Sequence, residues 1–193
     1  MKAIYLVLDL INDIVHSDGP FGQQGFGPEV RRRNVLENTA DALRRARDAG
    51  VPIAYVRIGF SGGYGECPPT STRFSKARQN GWFQLGAWGT QVHETVLPHK
   101  DDFDIVKHRV SPFYATTLEP ILRANSVDHI FVSGVSTNAV VQAAMREGND
   151  RDYQMYLLED CCSALSAYEH DQAIETLRSF GEITGSRETS FSS

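Results

Sequence analysis

The chain of 193 residues predicts an α/β fold built on a mostly parallel sheet. Three observations carry that expectation: short apolar runs too continuous for a half-exposed strand, helix-period segments between them, and the regular alternation of the two. Strand–helix alternation of this kind calls for right-handed crossovers and helices covering the sheet.

The elements follow in order. Ala3–Leu8 (AIYLVL) is a continuous apolar run that ends at Asp9. From Val35 to Ala49, apolar residues at Val35, Leu36, Ala42, Leu43, Ala46 and Ala49 make one helical stripe, and Gly50 stops it. Val51–Ile58 is the second strand, with Pro52 tolerated near its start, and Phe103–Lys107 is the third. Thr116 and Glu119 stand at capping-box spacing ahead of Ile121 and Leu122. His129–Val132 is the fourth strand, after which Gly134-Val135-Ser136-Thr137-Asn138 turns into a helix over Asn138–Glu147. Tyr153–Leu158 is a fifth strand. Glu169–Phe180 is a helix closed by Gly181, and Glu182–Thr184 is a last short strand. The stretch Gly59–Gly89 breaks this rhythm with Gly, Pro, Ser and aromatics, which suits a functional loop or lid and equally a packing or oligomer contact.

Composition bounds the function. Hydrophobic residues at 41% and charged residues at 22% are those of a globular chain, here read as a single domain over 1–193. A net charge of −5 without a basic tract argues against nucleic acid and membrane surfaces as partners. No apolar run reaches the roughly 18 residues of a membrane span, and MKAIYLVLDLIND reads as a buried strand rather than a signal peptide. Cys67, Cys161 and Cys162 are odd in number and two are adjacent, so a cytoplasmic protein without a disulfide framework is expected.

Ligands of open α/β sheets bind beyond the carboxyl ends of the strands, which makes the residues there the candidates. Asp9 ends the first strand and Lys107 the third. A carboxylate after six apolar residues needs a cation or several donors, and Lys107 can supply the charge. Such a pair can be acid–base equipment or simply an ion pair that fixes two strands. Asp13 reads as a helix or turn partner. The turn after the fourth strand aims backbone N–H groups at the same rim, either for an anion or as an ordinary cap by Ser136 or Thr137. The histidines at 16, 93, 99, 108, 129 and 170 are scattered, and no CxxC or HExxH spacing occurs, so no metal site is expected. Arg44, Arg45 and Arg47 with Asp41 and Asp48 read as a solvated helix face. Trp82 and Trp88 read as core or interface residues.

Three segments resemble the isochorismatase-like hydrolases of the cysteine hydrolase superfamily. YLVLDLINDI is similar to their opening strand, apolar-apolar-D-x-Q-N-D-F, and IVKHRVSPF to their Lys-x-R-x-S-x-F motif. FVSGVSTNAVVQAAMREGNDRDYQMYLLEDCCSA is similar to their G-V-x-T-N/D turn, helix, strand and E-D-x-C ending. The resemblance covers essentially the whole chain. It implies a Rossmann-like three-layer sandwich, an about six-stranded mostly parallel sheet with helices on both faces, no cofactor, and a homodimer or homotetramer. Members that cleave amides use an Asp, a Lys and a Cys. Asp9 and Lys107 match the first two, but the nucleophile's place, seventh from Gly134, holds Val140. Valine can neither attack a carbonyl nor carry a proton. Cys162 matches the E-D-x-C cysteine and Cys161 a place usually held by Ala; both read as buried small hydrophobes, whereas Cys67 can approach the rim from the irregular loop. Isochorismatases themselves have glycine at the nucleophile's place and hydrolyse a vinyl ether with Asp as acid, Lys in support and water attacking. Their second strand ends in a Gln where this chain has Arg57. Nicotinamidases carry a metal-binding D-x-H…H after that strand; here Arg57-Ile58-Gly59-Phe60 stands instead, which disfavours that activity.

The expectation is a hydrolase without a thiol nucleophile, acting on a C–N or vinyl-ether C–O bond of a small polar or anionic molecule. Asp9 is the expected acid–base and Lys107 its charge partner. Backbone N–H groups near Ala139 and Val140 are expected to form the oxyanion site. Ile14, Arg57, Ser136 and Val140 are expected to bind the substrate, with loop aromatics closing the pocket and Arg57 favouring an anion. The alternatives are a non-catalytic small-molecule-binding protein on the same scaffold and an amidase using a displaced thiol.

Overall fold

The computed structural model describes residues 2–191. Six parallel strands form one sheet: β1 Ala3–Leu8, β2 Ile53–Ile58, β3 Phe103–Lys107, β4 His129–Val135, β5 Gln154–Ser163 and β6 Glu182–Thr184, in the order β3-β2-β1-β4-β5-β6. Every pairing is parallel. Among the described residues there are seven α-helices: α1 Asn12–Val15, α2 Phe26–Arg32, α3 Val35–Asp48, α4 Ala77–Asn80, α5 Leu118–Ala124, α6 Gln142–Asn149 and α7 Ala167–Leu177.

Alternation along β1 divides the core into two layers. Ile4, Leu6 and Leu8 pack with Leu118, Leu122, Ala144, Met145 and Ile174 on the face covered by α5, α6 and α7. Tyr5 and Val7 pack with Val30 of α2 and with Val35, Ala42, Leu43 and Ala46 of α3 on the other. A strand buried on both faces has no polar alternation to show, which is why β1 reads as an unbroken apolar run. A third cluster, Ile11, Ile58, Phe60, Tyr64, Phe74 and Phe83, lies at the carboxyl end of β2 and packs the irregular 59–89 segment onto the rim.

The chain order reverses at β1, with β2 on one side and β4 on the other. Leu8 is in register with both Val56 and Gly134, so the ends of β1 and β4 open side by side at this switch point. Their approach is close. A Cβ on Gly134, at φ 133°, would stand 2.0 Å from the Leu8 carbonyl oxygen, so only glycine fits there.

Several local expectations shift. β4 runs on to Val135 and β5 to Ser163, beyond the apolar runs that announce them, because Ser133, Gly134, Cys162 and Ser163 are buried in parallel pairing despite their small size or polarity. The helix expected from Asn138 opens as a π-helical turn, Thr137–Val141, before α6. Thr117, not Thr116, stands at the N-cap position of α5 and makes no side-chain cap, while the Thr116 hydroxyl accepts from the Leu118 N–H at 3.2 Å rather than from Glu119. The arginines of α3 are not one solvated face. Arg44 alone pairs with Asp41 and Asp48; Arg45 donates to the carbonyls of Ser186 and Thr189, and Arg47 pairs with Asp102 at 2.6 Å.

Candidate active site

Asp9 is the first residue beyond β1 and sits at φ 56°, a left-handed conformation that Asp tolerates better than most side chains. Its own N–H donates to the Val56 carbonyl at 2.9 Å. The carboxylate is thereby turned across the ends of β2 and β3. Oδ1 accepts from the Ile58 N–H at 2.7 Å, and Oδ2 lies 2.8 Å from Lys107 Nζ. Lys107 closes β3 directly opposite Ile58 in register and also donates to the Arg109 carbonyl at 3.2 Å. Both side chains of the pair are almost wholly buried, at 6% and 2% exposure. Burial pushes the Asp9 carboxyl above the usual range, and Lys107 and the Ile58 N–H offset only part of that push.

The pair forms the floor of a cavity of about 90 Å³. Val135 at the end of β4 and Ser136, Ala139 and Val140 from the turn after it make one side. Ile14 of α1 with Phe21 and Phe26 makes another, and Phe74, Phe83 and Arg73 come from the 59–89 segment. That segment is pinned rather than loose. The Phe83 N–H donates to Asp13 Oδ2 at 2.7 Å, the Phe60 N–H donates to the Phe83 carbonyl at 2.8 Å, and Phe21 stacks on Phe83 at 5.2 Å between centroids. The buried Asp13 carboxylate fits because residue 89 is glycine; a Cβ there would lie 2.0 Å from Oδ1.

The structure brings together Asp9, Lys107, Ile14, Ser136, Ala139 and Val140 around one cavity. It does not bring Arg57 there. Side chains alternate along β2, so Arg57 points to the face opposite Ile58, where it pairs with Asp104 at 2.5 Å and donates to the Thr90 carbonyl at 3.0 Å. The Ala139 N–H is already engaged, donating to the Ser136 carbonyl at 3.1 Å, and the Val141 N–H donates to the same oxygen at 3.3 Å. Neither Ser136 nor Thr137 caps the turn with its side chain.

The Thr137 hydroxyl is instead bonded to His170 Nδ1 at 2.8 Å. His170, fully buried on α7, reaches Glu159 Oε1 on β5 at 2.8 Å through Nε2. Arg33 also pairs with Glu159 and donates to the Cys162 carbonyl at 2.9 Å. This partly buried network supports the turn that carries Ser136 and Val140. Sequence reading passed over it, yet a signal existed: His170, Ala173, Ile174 and Leu177 are the i, i+3, i+4 and i+7 positions of the buried face of α7.

No cysteine lines the cavity. Cys161 and Cys162 are fully buried; desolvation pushes the Cys161 thiol far up and the Cys162 thiol to about 12. The Cys67 thiol donates to the Phe74 carbonyl at 3.3 Å. Among the described residues, no three His, Cys, Asp or Glu side chains converge closely enough to hold a metal ion, and no helix is long and apolar enough to cross a membrane.

The chain that carries this strand-end pair at the switch point of a six-stranded parallel sheet has known relatives. The isochorismatase domain matches residues 3–188, and the chain belongs to the isochorismatase family of hydrolases. It is 31% identical to the isochorismatase family protein YecD of Escherichia coli O157:H7 over 72% of this chain and 72% of that protein. It is 27% identical to the ureidoacrylate amidohydrolase RutB of Klebsiella pneumoniae over 93% of this chain and 81% of that protein. Among solved structures, an isochorismatase family protein from Desulfovibrio vulgaris superposes with a TM-score of 0.85 at 19% identity, covering 96% of this chain and 95% of that one, which shows the shared fold.

Proposed function

We propose that the protein hydrolyses a C–N bond of a small molecule, using Asp9 and Lys107 without a thiol nucleophile. The observation that supports this reading most is the 2.8 Å Asp9–Lys107 pair on the floor of a cavity whose nucleophile position is occupied by Val140. Burial makes the Asp9 carboxylate a stronger base than an ordinary one, while Lys107 keeps it ionised. Asp9 takes a proton from water as the water oxygen bonds to the substrate's carbonyl carbon. The carbonyl π electrons move to oxygen. With the Ala139 N–H engaged, the Lys107 ammonium and the Val140 N–H are the groups that meet this charge. Collapse of the intermediate expels nitrogen, which takes the proton back from Asp9. The amidohydrolase name of the RutB relative favours C–N cleavage over the vinyl-ether alternative.

The test is a panel of small amides, ureides and vinyl ethers assayed with wild type and Asp9→Asn. Turnover of an amide or ureide that Asp9→Asn abolishes is the expected result. Ligand-induced thermal shifts without turnover of any compound would overturn it in favour of a binding protein on the same scaffold.

A further inference from the structure

We propose that Arg73 is the residue that selects the substrate, by pairing with a carboxylate of the molecule whose reacting bond lies at Asp9. This inference deepens the hydrolase reading and rests on the same cavity. Arg73 lines that cavity from the 59–89 segment, within Coulombic reach of Asp9. Among the described residues its guanidinium has no hydrogen bond and no ion pair, whereas Arg57, the arginine the sequence points to, is committed to Asp104.

The charge inventory of the cavity gives the sign of the ligand. Asp9 and Lys107 neutralise each other at 2.8 Å, and Arg73 remains. The lining is therefore one positive charge in excess, within a chain of net charge −5. The same lining includes the apolar side chains of Ile14, Phe21, Phe26, Phe74, Phe83 and Val110. A ligand that satisfies all three features has a hydrolysable bond, a short apolar or unsaturated body, and one anionic group. A single guanidinium presents a planar two-donor fork that matches a carboxylate; a phosphate would leave oxygens facing phenylalanine rings.

The experiment measures binding, so that it is independent of turnover. Benzoate against benzamide, and ureidoacrylate against its primary amide, are titrated into wild type, Arg73→Gln, Arg73→Lys and Asp9→Asn by calorimetry, with inorganic phosphate as a further probe. Arg73 is exposed, so its variants should fold. On wild type each acid is expected to bind about tenfold tighter than its amide, or more. Arg73→Gln should erase that preference, Arg73→Lys should retain part of it, and Asp9→Asn should keep it. Equal binding of acid and amide to wild type, binding of neither, or an unchanged preference in Arg73→Gln overturns the proposal, as does phosphate binding more tightly than the acids. The two readings fail separately. A carboxylate preference without turnover of any compound removes the hydrolase and leaves Arg73 in its role. Turnover of neutral amides unaffected by Arg73→Gln does the reverse.

Discussion

Asp9 and Glu159 are both carboxylates set among buried strands, each beside a cation, yet their surroundings push them in opposite directions. Asp9 has one ammonium and one backbone N–H, and desolvation outweighs both, so its carboxyl is raised. Glu159 has the His170 ring and the Arg33 guanidinium and keeps a third of its side chain in contact with solvent; its carboxyl is held at about 2. The first group is under-satisfied, which makes its carboxylate a stronger proton acceptor than an ordinary one. The second is over-satisfied and serves as an anchor. The contrast separates a reacting group from the frame that positions it, although both look alike as acidic residues in an α/β sequence.

The largest expected effect breaks the first of these environments. Asp9→Asn should lower turnover by about 10²- to 10⁴-fold, the range for loss of a general base, in steady-state assays on whichever amide or ureide wild type accepts. As an ionised base, Asp9 should give wild type a kcat/KM that rises with pH through its raised pKa. Activity that survives Asp9→Asn, or that falls across that limb, would assign the proton transfer to another group.

Next in size is Lys107→Met, which leaves a buried carboxylate without its cation. Denaturant unfolding at pH 7 should show a loss of about 3–5 kcal/mol. Combining it with Asp9→Leu should recover much of the loss, because both charges are then gone. A double variant as unstable as Lys107→Met alone would mean that packing, not charge, holds this corner together.

Glu159→Gln breaks the second environment and should cost about 1–3 kcal/mol at pH 7, with a smaller effect on turnover than either change above. The pH dependence carries the sign. The folded carboxyl titrates at about 2 against an ordinary 4.5, so its contribution is fully present above 4.5 and disappears as pH falls towards 2. Wild type and Glu159→Gln should therefore converge in stability at the acid end. Asp9 has the opposite sign: its raised carboxyl is a cost above its folded pKa, relieved as pH falls towards 3.8. A gap between wild type and Glu159→Gln that stays constant down to pH 2 would remove Glu159 from this role.

The strands, the long helix α3 and the two ends of the Asp9–Lys107 pair are legible in the sequence because each depends on local pattern: continuous apolar runs, a 3.6-residue stripe, a charge at the end of a run. The positions that resist such reading depend on what faces them. Arg57 looks like a pocket residue until strand alternation and Asp104 on β3 turn it away. Arg73 stands in an irregular segment where no periodicity gives direction, and long-range contacts such as the Phe83 N–H on Asp13 and the Phe21–Phe83 stack hold that segment against the cavity. Thr137 reads as a cap, but its hydroxyl is taken by His170, a partner 33 residues along the chain.

The smallest expected effect concerns the thiols. Loss of turnover on alkylation would point to a displaced cysteine nucleophile. Cys161 and Cys162 are shielded by full burial and by raised pKa values that leave almost no thiolate at neutral pH. Cys67 is only partly buried, and its thiol donates to the Phe74 carbonyl behind the cavity wall. Iodoacetamide should accordingly label Cys67 alone under native conditions, as read by peptide mass, and leave kcat within about twofold of the untreated enzyme; with no reacting bond at the sulfur, only a slight displacement of Phe74 reaches the cavity. Cys67→Ser should behave as untreated wild type and take up no label. Complete inactivation that Cys67→Ser resists would place a working sulfur at the rim after all, and the contrast between Asp9 and Glu159 would then describe two supporting carboxylates instead of a base and its frame.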